Sequence, residues 1–184
     1  MDGKGLIVQA SVKSAIYVAI GGNLTIAALP DLRSTLEAGV RALGAAGLFV
    51  AARSSWWQSP AWPPPVAGEI AQPDYLNAMV RIDTILSPRD LLARLHTIEQ
   101  DFGRVRRGRW DARPLDLDLI DYAGRVSPGD AMGEPVLPHP RATGRLFVLL
   151  PLQEIAPDWR DPASGRSIAT LIEAADPIKI NKLS

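Results

Sequence analysis

Segments with strand-like and helix-like patterns of apolar residues alternate along the chain. Residues 15–20 form a continuous apolar run that ends in two glycines, as is typical of a strand buried on both faces. Residues 48–58, rich in Phe, Val and Trp, predict a second strand. Residues 75–84 alternate between two faces, which predicts a third strand, and residues 115–122 predict a fourth. In the third strand one face comprises Leu76, Ala78, Val80 and Ile82, and the other comprises Tyr75, Asn77, Met79, Arg81 and Asp83.

Apolar residues at helical spacing lie between these strands. Asp31 can cap a helix that ends near Gly44, because apolar residues recur there every three or four positions. Ser87 can cap a second helix, which has a proline in its first turn and ends at Gly103. Two shorter helices are predicted further along, at residues 147–155 and 167–174.

The order strand, helix, strand, strand, helix, strand is the split βαβ pattern. We therefore predict an α+β fold, a ferredoxin-like βαββαβ sandwich with additional C-terminal helices. We expect a single domain at residues 15–176, an N-terminal extension at 1–14 and a C-terminal tail at 177–184. A proline-rich loop over residues 59–73 joins the second and third strands.

Composition narrows the classes of protein that fit this pattern. The 184-residue length and the 47% hydrophobic content fit one globular domain and exclude a disordered tail protein. The 20 basic and 20 acidic side chains balance, and no apolar stretch is long enough for a membrane helix, so we expect a cytoplasmic protein. The absence of cysteine excludes disulfides and thiolate metal sites. With only two histidines, a metal ion would be held by carboxylates, which favours magnesium.

Residues 104–113 concentrate positive charge in a chain that is neutral as a whole. This segment contains five arginines and one acid, Asp111, for a local charge of +4. Arginine can hold phosphate oxygens through two hydrogen bonds at once, so the cluster indicates a phosphate site. A solvated loop without a ligand is the alternative that the cluster alone leaves open.

Two aspartates follow the arginines on the fourth predicted strand. Asp116 and Asp118 project from one face, about 6–7 Å apart, because side chains alternate along a strand. Such a pair can bind divalent cations, which would neutralise the phosphate charge that the arginines hold. We therefore favour a phosphate–magnesium site over an exposed polar edge strand. Glu99, beside the apolar stripe of the second helix, either orients one of the arginines or is an ordinary boundary residue.

Two further groups of residues are weaker candidates by themselves. Tyr75 and Asn77 share a strand face and, with Trp62 in the proline-rich loop, could bind a flat heterocycle by stacking and hydrogen bonds. An ordinary solvated sheet face is the simpler explanation. His139 lies between two prolines and precedes two arginines, so it is either structural or a phosphate-binding or proton-transferring residue.

Five motifs in a fixed order carry a resemblance to a known family. The most specific is RWDARPLDLDLI, which runs from Arg109 to Ile120. The others are residues 19–24, residues 72–77, Glu99 leading to residues 103–106, and Pro138–His139 followed by Arg145 and Phe147. Together they resemble the 6-hydroxymethyl-7,8-dihydropterin pyrophosphokinases of folate biosynthesis, over residues 15–174. The sequence departs from that pattern at Gly22, where many members have Ser, and at Asp111, where a small residue is usual.

The resemblance implies that pyrophosphate passes from ATP to the hydroxymethyl group of the pterin, with release of AMP. It implies that Asp116 and Asp118 bind two magnesium ions. We expect ATP and the pterin as partners, no nucleic-acid or membrane partner, and a monomer. The implied catalytic residues are Arg104, Arg109, Arg113, Asp116 and Asp118. The implied ATP contacts are Arg106, His139 and Arg145, and the implied pterin contacts are Ser59, Pro60, Trp62, Tyr75, Asn77 and Phe147.

Two other classes of function share parts of this pattern. A nucleotidyltransferase of the polymerase-β type also uses a glycine-rich turn and paired aspartates, but there the pair follows closely, whereas 93 residues separate Gly22 from Asp116 here. A nucleic-acid-binding module could use the arginines with Trp110 to contact a backbone and its bases. Such a module would not require Asp116 and Asp118, which repel phosphate unless a metal ion is bound.

Overall fold

The computed structural model describes residues 15–61, 71–104 and 111–183. Its strands are β1 (Ile16–Gly22), β2 (Phe49–Arg53), β3 (Trp57–Ser59), β4 (Tyr75–Asp83), β5 (Asp116–Tyr122), β6 (Ser127–Pro128), β7 (Val136–Leu137) and β8 (Asn181–Lys182). Its α-helices are α1 (Leu32–Ala45), α2 (Pro88–Asp101), α3 (Leu146–Ile155) and α4 (Ile168–Ala174), and a 3-10 turn spans Ala142–Gly144.

The main sheet confirms the predicted fold class. Its strand order is β5-β1-β4-β3-β8, and β2 pairs with the other end of β4. All neighbouring strands are antiparallel. Because α1 connects β1 to β2 and α2 connects β4 to β5, order and direction are those of a ferredoxin-like βαββαβ sandwich. β6 and β7 form a separate two-stranded sheet.

The expectation of one continuous strand over residues 48–58 is wrong, because β2 and β3 are separate strands. Ser54 makes the break: its backbone N donates to the Met79 carbonyl at 2.9 Å, and its hydroxyl accepts from the Met79 N at 2.9 Å. Trp56 then enters the core, where its indole N–H donates to Glu37 at 2.9 Å. β3 resumes along the far end of β4, next to the residues that carry the predicted site.

Local sequence signals explain where the first two helices begin and end. Asp31 and Ser87 act as the predicted N-caps, since each side chain accepts a hydrogen bond from the backbone N three residues later. α2 ends at Asp101, and the predicted stop residue Gly103, which follows the C-cap Phe102, has a left-handed φ of 79°. α1 continues one residue past Gly44, and the left-handed residue that follows it is Gly47, with φ 83°.

Hydrophobic cores lie on both faces of the sheet. The first face, which includes Leu76, Ala78, Val80 and Ile82, packs against α1 and α2 as the alternation in β4 predicts. On the second face, α3 and α4 pack over Tyr17, Met79 and Ile120. Met79 is completely buried, whereas Tyr75, Asp116 and Asp118 are only half-buried, so the face that carries Tyr75 and Asn77 is covered at one end and more open at the other. The open end is the part of the sheet available to a ligand.

The last described residues extend the sheet. Residues 177–184, expected to be a tail, contain β8, which pairs with β3 at Trp57↔Lys182 and Gln58↔Asn181. Within the described ranges, no helix is both long and apolar enough to cross a bilayer.

Two glycines of α1 provide a matched test of helix packing. At Gly39, an added Cβ would lie 2.7 Å from Cδ1 of Leu115, a fully buried side chain under β5. Gly39→Ala is therefore expected to lower the free energy of unfolding by about 1–3 kcal/mol. At the exposed Gly44 nothing lies within 4 Å of the added Cβ, so Gly44→Ala is expected to raise it by about 0.5–1 kcal/mol. Urea unfolding of both variants measures these changes in the free energy of unfolding. Equal changes in the two variants would contradict the packing described at Gly39.

Candidate active site

The open end of the second sheet face carries the two aspartates and the asparagine singled out in the sequence. In register, Asn77 of β4 pairs with Gly21 of β1, which pairs with Asp116 of β5. Two positions along β1, Ala19 pairs with Asp118. Because neighbouring strands are about 4.8 Å apart, Asn77 and Asp116 are separated by about 10 Å, with small residues between them. A Cβ on Gly21 would lie 3.0 Å from Asn77 Oδ1, so glycine keeps the floor of this trough clear.

Asp116 is held between two arginines. Its Oδ1 lies 2.5 Å from Arg104 Nη1, and its Oδ2 lies 3.1 Å from Arg113 Nη1. All three side chains are largely buried, with exposed fractions of 23%, 17% and 19% in that order. The carboxylate therefore has its charge balanced in this state, and both arginines are directed at the same edge of the sheet.

The end of α2 sets the position of Arg104. Arg104 N donates to the Glu99 carbonyl at 3.1 Å, in the Schellman turn formed by the left-handed Gly103. Glu99 is 2% exposed, and its Oε1 accepts hydrogen bonds from the Arg104 guanidinium and, at 2.7 Å, from the Leu117 N. A single buried carboxylate thus joins α2, Arg104 and the β5 residue between the two aspartates. Of the two interpretations of Glu99, the structure supports the one that orients an arginine.

Asn23, at the end of β1, sets the position of Arg113. Asn23 is 3% exposed. Its side-chain Oδ1 accepts a hydrogen bond from the Arg113 backbone N at 2.8 Å, and its backbone N donates to the Arg113 carbonyl at 2.9 Å. Its Nδ2 donates to the Pro73 carbonyl at 3.1 Å, which ties the loop before β4 to the same point. Gly22 permits this close approach, because a Cβ there would lie 2.4 Å from the Pro114 carbonyl oxygen. This close contact explains why position 22 is glycine here, where many members of the resembled family have serine.

Asp118 and His139 lie close enough for their charges to interact. The His139 N donates to the Ile120 carbonyl at 2.9 Å, which fixes the segment after β7 against β5. Burial and the neighbouring charge of Asp116 raise the pKa of Asp118 above its ordinary value, although His139 and two arginines act in the opposite direction. Burial lowers the pKa of His139, although the charge of Asp118 acts in the opposite direction.

Arg145 and Phe147 lie at the start of α3, and Phe147 packs against the hydrophobic core of the second sheet face. The Arg145 guanidinium lies 5.4 Å from the centre of the Phe147 ring. Burial lowers the pKa of Arg145, and the neighbouring Arg141 acts in the same direction, while Asp118 raises it. An anion bound between these cations would relieve their mutual repulsion.

On the opposite side, a buried hydrogen bond fixes the amide of Asn77. Asn77 Nδ2 donates to Ser59 Oγ at 3.0 Å, and both residues are at least 93% buried. Tyr75, two residues earlier on β4, lies beside Arg113, and burial raises the pKa of its phenol. The oxygen of the fixed amide accepts hydrogen bonds, and with an aromatic neighbour it suits a flat polar heterocycle.

The described site residues thus form two groups. The first is charged and comprises Arg104, Arg113, Asp116, Asp118, His139 and Arg145. The second comprises Ser59, Tyr75 and Asn77, with the exposed Pro60 directly after β3. Arg106, Arg109 and Trp62 lie outside the described residues. Sequence reasoning gave Asn23 no role, although its place after a buried strand and two glycines was a usable signal.

The donor set fits magnesium shared with a phosphate ligand. Within the described ranges, no three Asp, Glu or His side chains converge as a complete metal site. Magnesium in proteins is commonly bound by one or two carboxylates, with substrate phosphates and waters as the remaining ligands. Asp116 and Asp118 match that arrangement better than a closed, all-protein site.

Comparisons with known proteins match the chain to one family. The family model of 7,8-dihydro-6-hydroxymethylpterin-pyrophosphokinase (HPPK) matches residues 17–157. The chain is 43% identical, over 86% of its length and 75% of the relative's, to the 2-amino-4-hydroxy-6-hydroxymethyldihydropteridine pyrophosphokinase of Synechocystis sp.. It is 36% identical, over 91% of its length and 97% of the relative's, to the protein of the same name from Methylorubrum extorquens.

A solved structure shares the fold. Wild-type Plasmodium falciparum HPPK-DHPS with pteroate aligns with a TM-score of 0.62 at 12% identity, over 87% of this chain and 42% of that chain. This chain therefore corresponds to less than half of that larger protein, and the similarity is one of fold.

Substituting each aspartate by asparagine separates their structural roles. Asp116→Asn removes the partner of Arg104 and Arg113 and is expected to lower the free energy of unfolding by about 1–3 kcal/mol. Asp118→Asn removes a charge that burial disfavours, so it is expected to leave the free energy of unfolding unchanged or to raise it. Denaturant unfolding in metal-free buffer at pH 7 compares the two. A larger loss for Asp118→Asn would contradict the described charge balance.

Proposed function

The chain belongs to the 7,8-dihydro-6-hydroxymethylpterin-pyrophosphokinase family, and we propose that its active site is the open end of the sheet face described above. It is an enzyme of folate biosynthesis that transfers pyrophosphate from ATP to 6-hydroxymethyl-7,8-dihydropterin. The observation that carries the site assignment is the row Asn77–Gly21–Asp116, which puts a fixed amide and a carboxylate on the two sides of one trough.

The heterocycle would lie on the Asn77 side. Asn77, with its amide held by Ser59, would accept hydrogen bonds from the pterin edge, and Tyr75 would border the pocket. Phe147, in the first turn of α3, would stack on the ring, while Pro60 and Trp62 would contribute from the loop after β3. The pterin hydroxymethyl group would then extend toward the aspartates.

ATP would lie on the Asp118 side. His139 and Arg145 would contact the nucleotide, and Arg104 and Arg113 would contact its phosphates, together with Arg106 and Arg109. The pKa of Arg145 is lowered by burial and by the neighbouring Arg141, so a bound anion would stabilise this crowded cation.

We assign the metal site to Asp116 and Asp118, which would bind two magnesium ions. The ions would supply charge neutralisation for the phosphates and orient the reacting oxygens. In this structure Arg104 and Arg113 already pair with Asp116, so a cation at Asp116 competes with them. When ATP is present, the same arginines can pair with phosphate oxygens instead, so metal and nucleotide are expected to bind together.

The reaction makes modest demands on proton transfer and large demands on alignment. The pterin hydroxyl oxygen forms a bond to the β-phosphorus of ATP, the bond from that phosphorus to the α–β bridging oxygen breaks, and AMP leaves. Phosphoryl-type transfer depends mainly on positioning and on neutralising charge. The fixed amide on one side would position the pterin, and the largely buried arginines on the other side would neutralise the phosphate charge. A cytoplasmic location and a monomeric state remain predictions from the sequence.

Product analysis tests the function directly. The protein with ATP, magnesium and reduced 6-hydroxymethylpterin is expected to form AMP and pterin diphosphate in equal amounts. Removal of magnesium with EDTA is expected to abolish turnover, because the phosphates and carboxylates would then repel each other. Formation of ADP would contradict pyrophosphate transfer, and full activity in EDTA would contradict the metal assignment.

Glu99→Gln tests whether the buried carboxylate orients the site. The amide can still accept from the Leu117 N but lacks the charge that pairs with Arg104, so kcat/KM is expected to fall about 10- to 100-fold. Asp101→Asn, an exposed change in the last turn of α2, is the control and should keep full activity. An unchanged rate in Glu99→Gln would show that Arg104 needs no such support.

A further inference from the structure

The C-terminal strand β8 lies outside the part of the chain that the family model matches. That match ends at residue 157, whereas β8 comprises Asn181 and Lys182. Among the described residues, β8 is the outermost strand of the main sheet and pairs there with β3, which carries Ser59. A segment beyond the span of the family-model match is therefore attached to the strand that borders the proposed pterin side of the active site.

Backbone and core contacts join β8 to β3. Trp57 pairs with Lys182 and Gln58 pairs with Asn181, while the Leu183 N donates to the Trp56 carbonyl at 2.8 Å. The Leu183 side chain packs against the core shared by α1, α2 and the sheet. β3 has only three residues, so these contacts form a large share of what holds it in place.

The carboxylate of Glu154 on α3 joins both strands. Its Oε1 accepts from the Ser55 N at 3.0 Å and from the Ser55 hydroxyl at 2.8 Å, and its Oε2 accepts from the Trp57 indole N–H at 3.2 Å. Lys182 of β8 completes the cluster: its Nζ lies 3.3 Å from Glu154 Oε1 and 5.9 Å from the centre of the Trp57 ring. The cluster orders the residues that immediately precede Ser59.

β3 in turn holds the amide that faces the substrate. Asn77 Nδ2 donates to Ser59 Oγ at 3.0 Å and lies 3.4 Å from the Trp57 carbonyl oxygen. Both acceptors belong to β3. If β3 shifts or frays, the Asn77 amide loses the contacts that set its orientation.

We propose that β8 is a positioning element for pterin binding, acting through β3 and the Ser59–Asn77 hydrogen bond. The inference rests on the proposed assignment of Asn77 to the pterin side. The charged half of the site is built on other elements, because β5, α2 and the segment after β7 hold Asp116, Arg104 and His139. Loss of β8 therefore weakens pterin binding selectively and leaves ATP binding and kcat nearly unchanged.

A truncation and two point variants test this proposal. Removal of residues 181–184 and the single changes Lys182→Ala and Leu183→Ala are each compared with Lys179→Ala, an exposed change just before β8. The truncation is expected to raise KM for the pterin about tenfold, with smaller increases for the point variants, while KM for ATP and kcat stay within about twofold. The control variant Lys179→Ala should have the same KM values and kcat as the unaltered protein.

Independent readouts separate positioning from general loss of structure. Direct pterin binding, followed by fluorescence, should weaken in parallel with KM, and amide hydrogen exchange should accelerate at residues 57–59 but not in β5. Equal loss of affinity for ATP and pterin, or unchanged affinity for both, would overturn the proposal. If the truncated chain does not fold, the two point variants test the proposal instead. In them too, KM for the pterin should rise while KM for ATP stays nearly unchanged. Failure of the unaltered protein to make pterin diphosphate would instead contradict the proposed function.

Discussion

The buried carboxylate of Glu99 is the constraint on which the charged half of the site depends. A charge that is 2% exposed must be matched by donors, and here they are the Arg104 guanidinium and the Leu117 N. These two donors come from the end of α2 and from the middle of β5. Satisfying one carboxylate therefore fixes the helix to the strand and sets Arg104 against Asp116. Because a buried carboxylate without partners is costly, folding favours this alignment.

The second sheet face forms a hydrophobic core at one end and the proposed site at the other, because α3 and α4 cover only one end of it. Under α3 and α4, Met79 and Ile120 complete a hydrophobic core. Beyond those helices, the same alternation along β4 and β5 brings Asn77 and Asp116 to the surface of the trough, and Gly21 between them leaves room for a ligand. The rigidity of the covered end supports the open end, since both belong to the same strands. A substrate site on such strands keeps its geometry better than one built on loops alone.

The ion pairs around Asp116 involve the same arginines that would bind phosphate. Arg104 and Arg113 balance Asp116 in this state, and the phosphates of ATP would offer them alternative partners. The balance is weaker at Asp118, where burial and the charge of Asp116 raise the pKa despite His139 and two arginines, so a bound cation would stabilise its carboxylate. The edge strand β3 brings the uncharged half to the same trough, supported from outside by β8 and by Glu154. In the proposed assignment, the charged side of the trough would bind ATP and the side with fixed hydrogen-bonding geometry would bind the pterin.

Signals that act over a few residues were readable from the sequence alone. The caps Asp31 and Ser87, the helix end at Gly103, the alternation in β4 and the pairing of Asp116 with Asp118 on one face all follow from contacts within one turn or one strand. The family motifs added the reaction. Contacts between distant segments were not readable: Ser54 breaks a strand by bonding to Met79, 25 residues away, Asn23 holds Arg113 from 90 residues away, and the expected tail becomes β8. Such contacts depend on how the sheet brings separate segments together, because no local pattern of apolar and polar residues specifies a partner that is distant in the chain.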